Sequence, residues 1–196
     1  MFLSYSDFTL LEAASDKTVY MVFGRFNPAT AAHRMLFEEL GKVAKKNDGV
    51  AFVFTSHTQD KKKNPLDYKT KIKYLKKLAP QGVKVIESKA RNAAEVLTEL
   101  GNNLGYKRAV LLTGSDRYDA YVRFKKYLKD FNLDSFDVMV IGKQRTETSD
   151  DLDGMSASKM RQMVVDGKEK EFIEKAPFDK KTNKQLYDDV KKGMEL

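Results

Sequence analysis

Val19-Tyr20-Met21-Val22-Phe23 is an uninterrupted apolar run closed by Gly24, and four more short, mainly apolar runs follow it: Val50–Phe54, Val83–Ile86 (broken by Lys84), Ala109–Leu112 and Phe136–Ile141 (broken by Asp137). A strand with one wet face alternates apolar and polar residues; runs without alternation belong to strands covered on both faces. The segments between them change period. Leu36, Leu40, Val43 and Ala44 recur at helical spacing after the first run, and Tyr68, Ile72, Leu75 and Leu78 after the second, stopping near Pro80. Ala93, Leu97, Leu100 and Leu104 follow the third, and Tyr121, Phe124, Leu128 and Phe131 the fourth. Repeated strand–helix units of this kind predict an α/β fold: a Rossmann-like, open five-stranded parallel sheet with helices on both faces and right-handed crossovers.

Beyond the fifth run, Lys143 to Asp153 reads as a polar, acidic-ended loop. Two short helices are predicted after it, Ser158–Val165, bounded by Gly167, and Asn183–Lys192. Residues 1–17 form an N-terminal extension, and residues 18–196 one domain with a C-terminal helical segment. A chain of 196 residues can build a single sizeable core.

The chain has no apolar stretch near the roughly 20 residues of a membrane helix, and its first residues lack the basic start and apolar run of a secretory signal. With no cysteine, disulfide frameworks and thiolate metal sites are excluded, compatible with a reducing cytosol and a cytoplasmic location. The net charge of +8 asks for an anionic partner. Lys61, Lys62, Lys63, Lys69, Lys71, Lys73, Lys76 and Lys77 crowd one segment opposed only by Asp67. That segment is either a solvated helix face with its preceding loop or a phosphate-attracting surface. No aromatic–basic signature of an RNA-binding sheet is present, so nucleic acid is a secondary partner.

Two segments carry the chemistry. Gly24-Arg25-Phe26-Asn27-Pro28-Ala29-Thr30-Ala31-Ala32-His33 follows the first strand and opens a helix; Met155-Ser156-Ala157-Ser158-Lys159-Met160-Arg161 follows the fifth and opens another. In open parallel sheets ligands bind beyond the carboxyl ends of the strands, where helix N-termini present N–H groups to phosphates. Gly114 and Asp116 after strand four, and His57 after strand two, fall on the same edge. Asp116 reads equally well as a helix N-cap, and His57 as an ordinary loop histidine.

GRFNPATAAH resembles the strand-one signature, (H/T)xGH, of the adenylyltransferase/cytidylyltransferase superfamily, and MSASKMR resembles its second signature, (I/M)SxTxxR. The Gly-Arg-Phe-x-Pro lead-in is most similar to nicotinamide-mononucleotide adenylyltransferases of archaeal type. KKKNPL (residues 61–66) and the N-terminal extension resemble nucleotidyltransferases of tailed phages, which would place the protein in a host cytoplasm. Ala32 stands where the family has glycine, Thr30 where many members have histidine, and Ser158 where threonine is commoner.

The resemblance implies transfer of AMP from ATP to a phosphorylated acceptor, nicotinamide mononucleotide first, with release of pyrophosphate. In that scheme His33, Thr30 and Arg161 are catalytic. Gly24, Arg25, Phe26, Asn27, Ser156, Ser158 and Lys159 bind nucleotide. Asp116, Gly114, His57 and Lys63 face the acceptor. Mg²⁺ would be bound mainly through the nucleotide phosphates, with no protein metal cage, and family members are often homo-oligomers. The alternatives are cytidylyl transfer to an alcohol phosphate, and an inactive nucleotide- or nucleic-acid-binding protein of the same fold.

Overall fold

A computed structural model of the chain describes residues 16–141 and 156–196. The predicted loop Lys143–Asp153, Met155 and nearly all of the N-terminal extension lie outside the described residues.

The five apolar runs form five parallel strands: β1 (Thr18–Gly24), β2 (Val50–Thr55), β3 (Val83–Val85), β4 (Arg108–Thr113) and β5 (Ser135–Val140). Their order across the sheet is β3-β2-β1-β4-β5. β1 is central, with Thr18 opposite Arg108 of β4 and Val19 opposite Val50 of β2. The order reverses direction at β1, so a crevice opens between the loops after β1 and β4, as expected at a switch point of a doubly wound sheet.

Side chains of a strand alternate between the two faces, and each face carries its own core. Val19 and Met21 of β1 join Phe52, Phe54, Ala109 and Leu111 on one side, under helix α3 (Ala93–Thr98) and the segment 121–133. Tyr20 and Val22 point the other way, onto Phe37 and Leu40 of α1 (Ala31–Lys46) and Leu75 and Leu78 of α2 (Tyr68–Leu78). A third cluster joins α5 (Ala157–Val165), α6 (Glu169–Lys175) and α7 (Lys180–Met194) through Met160, Phe172, Leu186 and Val190, with Leu66 and Tyr74 packed into it.

Three expectations about helices change. The C-terminal region holds three helices among the described residues, because Phe172, fully buried, anchors the additional α6; the predicted Asn183–Lys192 helix is the longer α7. The amphipathic segment after β4 is not one helix. A 3₁₀ turn (Ser115–Arg117) leads into the short helix α4 (Tyr118–Val122) and a second 3₁₀ segment (Arg123–Tyr127). α3 ends in a π-turn, Glu99–Asn103, where a β-carbon on Gly101 would stand 1.9 Å from the Phe131 carbonyl. That approach of two backbones is open only to glycine.

Candidate active site

The loops after β1, β4 and β2 and the start of α5 enclose a cleft of about 580 Å³. Its wall is built first by the turn after β1. Phe26 takes a left-handed backbone (φ 44°), which folds its ring back over Gly24. A β-carbon on Gly24 would meet that ring at 2.7 Å, so the glycine is what lets the aromatic lie there. The ring is buried edge-on to His33 (centroids 4.9 Å) and Phe37 (5.4 Å), which offsets the roughly 1–3 kcal/mol of backbone strain. The Asn27–Pro28 peptide bond is cis.

Thr30 caps α1 with an extended backbone, and its N–H donates to Nδ1 of His33, one turn on, at 3.0 Å. The Thr30 hydroxyl stands 3.1 Å from the same nitrogen. A ring nitrogen that accepts an N–H carries no proton of its own, so the neutral imidazole is fixed as the Nε2–H tautomer. The sequence motif thus produces an oriented donor in the first turn of a helix whose N-terminus faces the cleft. Ala32, in the same turn, lines the cleft as well.

The second motif comes from α5. Ser156 is its N-cap, its hydroxyl accepting from the Lys159 N–H at 3.2 Å. Arg161 donates from one terminal nitrogen to the Asn27 carbonyl (2.7 Å) and from the other to the Ser158 hydroxyl (2.9 Å). Burial lowers its pKa, with Arg25 nearby adding to the effect and Asp60 opposing it. A guanidinium stays charged through such a shift.

Asn27 connects this to the third wall. Its side chain, 2 % exposed, donates to the Leu66 carbonyl and accepts from the Leu66 N–H, both at 2.9 Å. Residues 161, 27 and 66 therefore form one hydrogen-bonded strap across three segments. The loop before Leu66 is organised by Asp60, whose carboxylate accepts from the N–H groups of Lys62 (2.9 Å) and Lys63 (2.6 Å) and from the Asn64 amide (2.5 Å). Those bonds hold its pKa down to about 2. Lys63 and Asn64 are thereby presented to the cleft. From β4, Gly114, Asp116 and Arg117 complete the lining.

Of the residues singled out by sequence, Gly24, Arg25, Phe26, Asn27, Thr30, His33, Lys63, Gly114, Asp116, Ser156, Ser158, Lys159 and Arg161 all line this one cleft. His57 does not. Its ring stacks flat on Tyr68 (3.8 Å, 7°) and its Nε2 lies 2.8 Å from the Ser88 carbonyl, so it joins the ends of β2 and β3 instead. Among the described lining residues, Arg25, Lys63, Arg117, Lys159 and Arg161 stand against one carboxylate, Asp116, so the described wall of the cleft is strongly cationic. Among the described residues no group of three or more His, Asp or Glu could hold a metal ion. Nor, among them, is any helix long and apolar enough to cross a membrane. Sequence reasoning missed Arg117 and Asp60; the Asp-Lys-Lys-Lys-Asn run carried a readable signal, since an Asp ahead of a short polar loop commonly accepts the next N–H groups.

The family model described as cytidylyltransferase-like matches residues 21–178. Among solved structures, a Vibrio parahaemolyticus protein described as a nicotinate-nucleotide adenylyltransferase superposes with a TM-score of 0.57 at 15% identity, over 87% of this chain and 98% of that one. Thermotoga maritima TmcAL in its apo form gives a TM-score of 0.52 at 11% identity, over 91% of this chain and 57% of that one. No curated protein matches the chain.

Proposed function

Because the chain belongs to the cytidylyltransferase-like family, with the nucleotidyltransferase fold, we propose that its cleft transfers AMP from ATP to the phosphate of a mononucleotide acceptor. The observation that supports this most is the convergence of His33, with its Nε2–H tautomer fixed, and Arg161 on a single cationic cleft. A phosphate oxygen of the acceptor attacks the α-phosphorus and forms a new P–O bond. The bond from that phosphorus to the bridging oxygen breaks, and pyrophosphate leaves with the electron pair.

The protein's work in such a step is positioning and charge neutralisation. His33 donates from Nε2 to the oxygens around the α-phosphorus, where negative charge gathers in the transition state. Thr30 keeps that ring in its tautomer. Arg161 and Lys159, with the N-terminus of α5, take the β- and γ-phosphates, and Ser158 holds the guanidinium in place. Arg25, Lys63 and Arg117 attract the acceptor. Among the described residues no carboxylate cluster could cage a metal, so Mg²⁺ would be brought by the nucleotide's phosphates and would supply further charge neutralisation there.

The Vibrio protein is described as acting on nicotinate nucleotide, which makes nicotinate and nicotinamide mononucleotides the first acceptors to test. The protein with ATP, Mg²⁺ and either acceptor is expected to release pyrophosphate and form the dinucleotide, and CTP is expected to support it poorly. Absence of triphosphate consumption with a panel of phosphorylated acceptors refutes the proposal. Faster turnover with CTP assigns the cytidylyl reading instead.

A further inference from the structure

Lys71 is the one lysine among the buried residues of the described chain, with 1 % of its surface exposed. It sits in the first turn of α2, and its ammonium donates to the carbonyl of Ser56 and, at 3.4 Å, to that of Thr58. Among the described residues no carboxylate forms an ion pair with it. Burying an ammonium against carbonyls alone is costly, and the bonds to those two carbonyls are what offsets the cost.

The surroundings of those carbonyls are the wall of the cleft. The N–H of Ser56 donates to the Gly24 carbonyl at 3.0 Å, continuing the sheet one step past β2. The Thr55 hydroxyl donates to the Arg25 carbonyl at 3.4 Å. Thr58 lies in the loop that leads from β2 to Lys63 and Asn64. One ammonium therefore sets both the end of β2, on which the Gly24–Arg25 turn rests, and the root of the loop opposite. We propose that Lys71 is a positioning residue of the cleft, a role that rests on reading the cleft as a triphosphate site, and that nucleotide affinity depends on its protonation.

Burial draws the pKa of Lys71 down to about 8, while Asp67, the N-cap of its own helix, pulls it the other way. From the loop over it, the titratable group is His57, held between Tyr68 and Ser88. On its own helix, burial raises the pKa of Tyr68 and of Tyr74, the latter also bonded to Asp189 of α7, so both phenols stay neutral. Lys76 pairs with Glu87 beyond β3. As pH rises through about 8, the ammonium becomes an amine and its charge-assisted bonds become ordinary ones of roughly half the strength. The wall then holds its shape less firmly, and affinity falls.

The test follows the carbonyl ¹³C resonances of Ser56, Thr58 and Gly24 and the Lys71 Cε resonance from pH 7 to 9.5, together with calorimetric binding of α,β-methylene-ATP and Mg²⁺. The expected result is a shared midpoint near 8 and an affinity loss of about 3- to 10-fold across it. Lys71→Met is expected to bind more weakly at pH 7 and to show no such midpoint. Should that variant not fold, the wild-type titration decides: Gly24 shifts that ignore Lys71, or an affinity flat across the range, overturn the proposal. Carbonyl shifts that track Lys71 in a protein binding no nucleotide at any pH establish the coupling and refute the triphosphate reading.

Discussion

Asn27 offers the sharpest separation of a structural role from a binding one. Its position in the first motif suggests nucleotide contact, yet its amide is consumed by the backbone of Leu66. In Asn27→Ala both the N–H and the carbonyl of Leu66, itself 2 % exposed, lose their partners. An unsatisfied buried group costs about 1–3 kcal/mol, and water entering the vacated space recovers part of it, so the pair comes to ~2–4 kcal/mol. For a domain of this size each kcal/mol moves Tm by roughly 2–4 °C, which puts the drop at about 5–15 °C. Asn27→Asp keeps the acceptor but turns a carboxylate oxygen toward a carbonyl, and is expected to be at least as damaging. Thermal and urea melts followed by circular dichroism, without nucleotide, measure this directly. A Tm within about 2 °C of wild type for Asn27→Ala, coupled with lost nucleotide binding, refutes the reasoning and returns the amide to the ligand.

Other perturbations separate chemistry from scaffold. His33→Ala is expected to lower kcat by about two to four orders of magnitude with nucleotide affinity reduced far less, the pattern of a lost transition-state donor; steady-state pyrophosphate release checks it, and a near-normal rate removes His33 from the mechanism. Gly24→Ala forces the Phe26 ring off its seat at 2.7 Å and is expected to weaken nucleotide binding and cost about 1–3 kcal/mol of stability, readable by calorimetry and melts. Gly193→Ala, where a β-carbon would stand 2.1 Å from the Pro65 carbonyl, is expected to push α7 from the loop and lower Tm while nucleotide still binds to the folded fraction. Asp60 has a pKa lowered to about 2, so its contribution is complete above its ordinary 3.8 and lost as pH falls toward 2. The Tm gap between wild type and Asp60→Asn should stay constant above about pH 4 and close below it; a gap indifferent to pH in melts from pH 2 to 6 counts against the loop's organisation by that carboxylate.

All five strands were legible in the sequence to within a residue or so: unbroken apolar runs mark β1, β2 and β4 inside the sheet, while β3 and β5, at its edges, keep Lys84 and Asp137 on a more exposed face. The helices were less so. Tyr121, Phe124, Leu128 and Phe131 have helical spacing, but the backbone there turns through 3₁₀ segments to bring Phe124 against both Phe131 and Phe136. Spacing records which side chains share a core, not how tightly the chain coils between them. α6 was invisible because Phe172 and Ile173 alone span too little length to set a period. In the site, the motif residues were found because they are adjacent in sequence. What they do for one another was not, since Asn27 meets Leu66 and Arg161, partners 39 and 134 residues away. His57 lay on the expected edge of the sheet but faces the β3 side, a distinction that depends on Tyr68 and Ser88.

The central place of β1 also sets a timetable for synthesis. β2 and β3 can join it as soon as residue 85 has emerged, but its other edge waits for β4, which begins at Arg108 and ends at Thr113. At roughly 5–20 residues per second, that edge stands open for about 1–6 seconds on each ribosome. During that interval Val19 and Met21 lack Ala109 and Leu111, which share their core cluster in the folded chain. A nascent chain halted near residue 100 should therefore be a stronger chaperone client than one halted past residue 140.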